Sequence, residues 1–254
     1  MSRKIEGLDV YPRYGALLAN PWSLKRKLIY KILPIHTLYP LKDELRLAWV
    51  RWKSRSVPHQ YRNANNLLVN LGAGGKGKPG WINVDSYPFP GINCVYDCRK
   101  QLPFPDESVN GIFCEHFFEH IDYTEEVPYF LSECRRVLKP GGVMRIVVPD
   151  SEQYMRAYCM EGWDEISKVR PLDSEQRDHH YHCKIHVKME LINLVFRQGS
   201  EHKYAYDYAN LEFVLSKFGF SKILKQSVGE SLLPEICLDQ SERASESLYV
   251  DAVR

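Results

Sequence analysis

The chain has 254 residues, a formal net charge of +2, and a composition of 44% hydrophobic, 26% charged and 12% aromatic residues, which suits one globular body with an appendage. No run approaches the roughly 18 uncharged apolar residues of a membrane span, which excludes an integral helical membrane protein. The opening MSRKIEGLDVYPRYG lacks the apolar core and cleavage site of a secretory signal, which predicts a cytoplasmic location.

Charge is unevenly distributed: residues 1–64 carry thirteen Lys and Arg against four Asp and Glu, or +9, and the remainder carries −7. The chain therefore reads as a basic helical arm, 1–64, on an acidic domain, 65–254. Within 20–55 the arm interleaves Lys25, Arg26, Lys27, Lys31, Arg46, Arg51 and Lys53 with Leu28, Ile29, Ile32, Leu33, Leu45, Trp49 and Trp52. That pattern predicts two short amphipathic helices broken near Pro34 and Pro40. Such helices suit either an anionic membrane surface, with possible peripheral contact at its inner face, or a flap packed on the body.

A polar linker at 54–65 precedes a short apolar run at 67–69 that stops at a glycine cluster and reads as a buried strand. Strand-length apolar runs recur at 81–84, 92–96, 111–114 and 143–148. Residues 124–138 have helical spacing, with Val127, Phe130, Leu131, Cys134, Val137 and Leu138 on one side and a stop at Lys139-Pro140-Gly141-Gly142. This alternation predicts an α/β fold built on a mostly parallel sheet. Residues 151–203 lose the rhythm and are rich in His, Tyr, Glu and Arg, after which a helix at 210–217 and strands at 223–228 and 248–253 are expected. The seven cysteines, an odd number, point to reduced thiols instead of a disulfide framework.

Asn70-Leu71-Gly72-Ala73-Gly74-Gly75 follows the first strand. Glycines there permit a sharp turn and close approach of a ligand, and a carboxylate such as Asp85 at the end of the next strand can accept ribose hydroxyls. Asp97 follows the third strand in the same way. Read alone, the loop also fits a plain turn with solvating acids beside it.

Together, NLGAGGKGKPGWINVD, LPFPDESVNGIFCEHFFEH and RRVLKPGGVMRIVVPD resemble the class I S-adenosylmethionine-dependent methyltransferases of the type 11 kind. The likeness is strongest over 66–150 and greatest to the small bacterial branch found near polysaccharide and cell-envelope genes. It implies a Rossmann-like, doubly wound, mostly parallel sheet and S-adenosylmethionine as cofactor, held by Asn70, Gly72, Ala73, Gly74, Asp85, Asp97, Cys98 and Glu115. Gly72 and Gly74 would line the methionine portion, Asp85 would hold the ribose, and Asp97 would accept from the adenine amino group beside the Cys98 backbone. Glu115 and His116 would border the sulfonium. Two departures stand out: Asn70 occupies a position where many relatives have an acid, and the thirteen residues from Gly72 to Asp85 leave little room for a first helix.

The acceptor of the methyl group should sit beyond the carboxyl ends of the strands, in 115–123 and 151–203, where seven of the nine histidines lie. Histidine suits removal of a proton from an oxygen acceptor near neutral pH, and His116, His182 and His186 are the candidate bases. The spacing of four between His116 and His120, and between His182 and His186, would place each pair on one helix face. Ordinary packing histidines are the competing reading, and no Cys-x-x-Cys or His-Glu-x-x-His string supports a metal site. The aromatic residues Tyr154, Tyr158, Trp163, Tyr181, Tyr204 and Tyr206 would either stack on a sugar or form a lid's own core. The resulting expectation is an enzyme that O-methylates a sugar of a glycan, a glycolipid or another small-molecule acceptor. A non-catalytic cofactor-binding scaffold and a nucleic-acid methyltransferase using the basic arm are the alternatives, the latter opposed by the acidic body.

Overall fold

The computed structural model describes residues 35–181 and 183–254. The first predicted arm helix, in 20–33, and His182 lie outside them. The described residues divide into two compact units, one of Asp43–Glu152 with Lys203–Arg254, the other containing Gln153–His202 together with 35–42.

The first unit holds a seven-stranded sheet in the order β3-β2-β1-β4-β5-β7-β6. Its strands are β1 (Leu67–Leu71), β2 (Ile82–Asp85), β3 (Cys94–Val95), β4 (Val109–Glu115), β5 (Leu138–Pro149), β6 (Ser221–Gln226) and β7 (Ser247–Val253). Strands β1 to β5 pair in parallel, while β7 runs antiparallel to both β5 and β6. This is the Rossmann-like arrangement of the class I methyltransferase fold, and its strand order reverses between β1 and β4, where a crevice opens at the carboxyl ends of an α/β sheet.

Alternation along the strands builds two cores. Ile112, Cys114, Met144, Ile146, Val148, Val250 and Ala252 face one side and join Phe130, Leu131 and Leu211 in the main core. Phe113, Val143, Val147 and Tyr249 face the other and meet Trp81 and Ile236. The main core is closed by α3 (Val127–Val137), which buries Val127, Phe130, Leu131, Cys134 and Val137 at helical spacing and ends with Arg135 and Arg136 in its last turn. It is also closed by α7 (Tyr208–Lys217), which starts where the Asp207 carboxylate accepts from Asn210 N–H at 2.8 Å.

Among the described residues no helix lies between β1 and β2, as the short spacing predicted. The second face is covered instead by the segment between β6 and β7, whose Leu232, Leu233, Ile236 and Leu238 pack onto it. Gly111 permits this, because a Cβ there would stand 2.4 Å from Ile236 Cγ2 and 2.8 Å from Leu233 Cδ2. Arg145, fully buried in β5, anchors the same segment through Asp239 (2.8 and 2.6 Å) and pairs with Asp251 on β7 (2.9 Å).

The arm differs from its prediction. A helix, α1, spans Ile35–Lys53 and passes through Pro40, because a proline removes one hydrogen bond of the ladder without necessarily ending it. From Asp43 onward this helix belongs to the sheet unit: Leu47 and Val50 are buried, and the following α2 (Val57–Tyr61) lays Tyr61 edge-on against Phe104 at 5.1 Å.

The other unit is described by itself. Parts of α4 (Ser151–Cys159), α5 (Asp164–Val169) and α6 (Lys188–Arg197) surround a core of Tyr154, Ile166, Val169, Ile185, Leu191 and Leu194, with Tyr158, Trp163 and Tyr181 packed against it. The loop between α5 and α6 is held by Arg170, whose Nε donates to Asp178 at 2.6 Å, while Asp178 also accepts from the backbone of Tyr181 at 2.7 Å. The tyrosines at 154, 158 and 181 and Trp163 thus serve that unit's own core. Tyr204 stacks on Tyr123 at 4.1 Å and Tyr206 lies 5.0 Å from Phe118, both in the sheet unit.

None of the seven cysteines is in a disulfide. Burial pushes the Cys94 thiol up to about 11 and raises Cys98, Cys114 and Cys134 well above the ordinary thiol range. Titration with a thiol reagent near neutral pH should therefore label exposed Cys159 first and leave those four unlabelled until the protein unfolds; rapid labelling of Cys98 in the folded state would contradict the burial.

Candidate active site

The site is built at the ends of β1, β2 and β4. Gly72 and Ala73 turn away from β1 with their N–H groups donating to the Val84 carbonyl at 2.9 and 3.0 Å, so the loop is stitched to β2. Gly72 has φ +72°, and a Cβ on it would stand 2.4 Å from the Phe117 ring. Both constraints demand glycine. The turn then reaches Asp85, which accepts from Gly74 N–H at 2.9 Å on one oxygen and from Tyr87 N–H at 2.8 Å on the other. Each oxygen keeps a lone pair for a further donor.

The connection into β2 is braced by residues that sequence reasoning passed over. Asn83 accepts from Lys78 N–H at 2.9 Å and donates back to the Lys78 carbonyl at 2.8 Å, and Asn93 accepts from Asn83 N–H at 2.8 Å. Asn70, buried at the end of β1, directs its Nδ2 toward Asn83 Oδ1 at 3.5 Å. A cleft of about 250 Å³ is lined by Asn70, Gly72, Ala73, Lys76, Phe113 and Glu115 on one side and by residues 238–242 on the other. Glu115, at the end of β4, accepts from Gln240 N–H at 3.0 Å and from the Gln240 side-chain amide, so the segment that replaces a helix also forms this wall. The separation of 125 positions from Glu115 to Gln240 hid that contact from the sequence.

Asp97, beyond β3, is buried and already well supplied with donors. Arg51 of α1 donates to Oδ2 at 2.8 Å, and Arg99 donates to Oδ1 from Nε at 3.0 Å and from its backbone N–H at 3.2 Å. Burial would raise this carboxyl, but the hydrogen bonds and charge of Arg99, followed by the hydrogen bond of Arg51, outweigh it and hold Asp97 below the ordinary aspartate range. A depressed folded-state pKa adds stability above the unfolded value of about 3.9 that disappears as pH falls through the folded value. Asp97→Asn should accordingly flatten the acid limb of a stability-against-pH curve measured by urea denaturation; an unchanged limb would show that other carboxylates govern it. The Cys98 side chain next door is buried in the main core.

His116 follows β4 with φ +49°, a conformation outside any right-handed helix. Hence His116 and His120 do not share a helix face as their spacing suggested; a short 3₁₀ turn, Phe118–His120, begins after His116. Its Nδ1 lies 3.2 Å from the buried Glu119 carboxylate and its Nε2 3.0 Å from Ser247 Oγ. Glu119 and Ser247 were not singled out in the sequence, although Glu119 lies three residues from His116. His186 is in the other unit, ahead of α6 and outside a helix, 3.3 Å from Glu190. The sheet unit thus contains His116 and all the predicted cofactor residues, while His186 belongs to the other unit.

Residues 86–146 match a family described as a methyltransferase domain. A stretch of 62 residues is 34% identical to a probable S-adenosylmethionine-dependent methyltransferase of Mycolicibacterium smegmatis, covering 24% of this chain and 23% of that relative. The matched stretch thus spans about a quarter of the curated relative's length. Among solved structures, a SAM-dependent methyltransferase from Archaeoglobus fulgidus aligns with a TM-score of 0.45 and 17% identity, over 85% of this chain and 99% of that one. The 1,6-didemethyltoxoflavin-N1-methyltransferase of Burkholderia thailandensis, solved with S-adenosylhomocysteine bound, aligns with a TM-score of 0.43 and 12% identity, over 97% and 91% of the two chains.

Proposed function

We propose, from the premise that this chain carries a class I S-adenosylmethionine-dependent methyltransferase domain, that it methylates an oxygen, most directly a sugar hydroxyl of a glycan or glycolipid intermediate in the cytoplasm. The observation that carries the reading is the gathering of the Gly72 turn, Asp85, Glu115 and His116 at the carboxyl ends of β1, β2 and β4 in one unit. The donor set suits the cofactor: Asp85 retains lone pairs for ribose hydroxyls, Gly74 leaves open space beside the backbone, and the Glu115 carboxylate offsets positive charge. When bound, S-adenosylmethionine supplies an activated methyl on a cationic sulfur.

Proton removal falls to His116. The Glu119 carboxylate on Nδ1 favours the tautomer with its proton there, leaving the lone pair of Nε2 facing the Ser247 hydroxyl. An acceptor hydroxyl taking the place of Ser247 would yield its proton to Nε2 as it is methylated. The sugar rests on resemblance to the envelope-associated branch. Incubating the protein with methyl-labelled cofactor and separated glycan, glycolipid and RNA fractions tests both points. Label in a glycan or glycolipid that is lost in His116→Ala, with cofactor affinity preserved, is the expected result; label confined to RNA would overturn the acceptor class.

One observation favours a second reading, a cofactor-binding scaffold without turnover: the acids expected to read the cofactor are engaged, Asp97 by Arg51 and Arg99 and Glu115 by Gln240. On the enzyme reading Arg51 yields to the adenine amino group, so Arg51→Ala should tighten S-adenosylhomocysteine binding several-fold in calorimetry. Weaker binding would instead make Arg51 part of the site.

A further inference from the structure

We propose that the outward face of α1 is a docking surface for an anionic lipid bilayer, independently of the transfer reaction. Leu45, Trp49 and Trp52 occur at i, i+4 and i+7, one stripe of a helix, and are 64%, 54% and 61% exposed. The stripe is not the edge of an unfinished core. The opposite side of the same helix is already fixed to the sheet unit by buried Leu47 and Val50, by Arg51 on Asp97, and by Arg46 donating to the Ser86 carbonyl at 3.1 Å. What remains outward is therefore a large apolar surface that the fold does not use, and large indoles beside leucine on an anchored helix mark an interaction site.

The charges choose the occupant. Lys53 sits over the Trp49 ring at 4.9 Å and Arg55 over the Trp52 ring at 5.0 Å. Each cation is thus held at the border of the apolar stripe, where its charge meets headgroups while the indole enters the acyl boundary. The wider distribution orients the molecule in the same sense. Residues 35–64 carry six Lys and Arg against two Asp and Glu, or +4, so a negative surface attracts the segment that bears α1. No described helix is long and apolar enough to cross a membrane; the geometry is that of a helix lying on a surface. An acidic protein partner would satisfy the cations but has no evident use for the leucine and indole faces, whereas the bilayer interface uses both.

The test is flotation of the full chain with phosphatidylcholine vesicles, with and without phosphatidylglycerol, alongside tryptophan emission. Binding to the phosphatidylglycerol vesicles, a blue-shifted emission and weakening by salt are expected. The triple variant Leu45→Ala, Trp49→Ala, Trp52→Ala should bind at least about tenfold more weakly. Lys53→Ala with Arg55→Ala should also lose about tenfold. All these residues are exposed, so both variants should keep the wild-type circular dichroism and melting temperature. Failure of the wild type to float with anionic vesicles would overturn the proposal, whether residues 1–34 or another macromolecule covers the stripe. Equal flotation of the triple variant would do the same. Tighter binding of the wild type to single-stranded RNA than to the vesicles, lost in the triple variant, would reassign the surface to nucleic acid.

Discussion

Asp251→Ala should destabilise the sheet unit by about 3–5 kcal/mol, the usual consequence of removing one member of a buried ion-pair network. Asp251 and Arg145 stand directly opposite on β7 and β5, and both side chains are excluded from solvent. Removing the carboxylate leaves Arg145 with Asp239 and the Ser227 carbonyl, and its Nη1 donor loses the 2.9 Å acceptor. The damage extends further, because the other oxygen of Asp251 accepts from Leu232 N–H at 2.6 Å and Ser231 Oγ at 2.9 Å. Those bonds start the segment that covers the second sheet face. Against a total stability of roughly 5–15 kcal/mol, the variant should sit near its unfolding threshold, and urea midpoints at constant slope would measure the loss. Asp239→Ala should cost a comparable amount, since Arg145 then keeps only its single bond to Asp251 and loses two to Asp239, and should also loosen the cleft wall at Gln240. A loss below about 1 kcal/mol in Asp251→Ala would mean that water reaches Arg145 and replaces the carboxylate.

That segment also marks how far the sequence could be read. Strands β1, β4, β5 and β7 were legible because their apolar runs are short, β-branched and bounded by turn residues, and the α3 stripe was legible from its spacing. The ends of β2 and β3 were marked by Asp85 and Asp97, as strand-end acids should be. The covering of the second face was not legible: Leu232, Leu233, Ile236 and Leu238 form no period of a helix or strand, and their role depends on Arg145, 94 residues from Asp239. The donors to Asp97 were hidden for the same reason, since Arg51 is 46 residues away in a segment read as an arm. His116 shows a different failure. Its spacing from His120 suggested a shared helix face, but the left-handed backbone at His116 turns its ring toward Ser247, a contact 131 residues apart in sequence.

Asp85→Ala should weaken S-adenosylhomocysteine binding at least about hundredfold, through loss of charge-assisted hydrogen bonds individually worth about 1.5–3 kcal/mol. Two losses combine. On the cofactor reading the carboxylate accepts ribose hydroxyls, and in the structure it also ties the glycine turn to the end of β2 through Gly74 N–H and holds the next loop through Tyr87 N–H. Without it the Gly72 turn would still be stitched to Val84, so the fold should survive while the loop beyond Gly74 loses its anchor. Asp85→Asn separates charge from geometry. An amide offers one acceptor oxygen and would point an N–H₂ at one of the two backbone donors, so Asn should be nearly as damaging as Ala despite its similar shape. Calorimetric titration of both variants, with circular dichroism as a control for folding, checks the argument. If Asp85→Asn bound like the wild type, the carboxylate would be a turn-former of no consequence to the ligand, and the ribose would have to be held elsewhere. If both variants lost binding with their melting curves intact, Asp85 would be fixed as the group that couples the glycine turn to the cofactor.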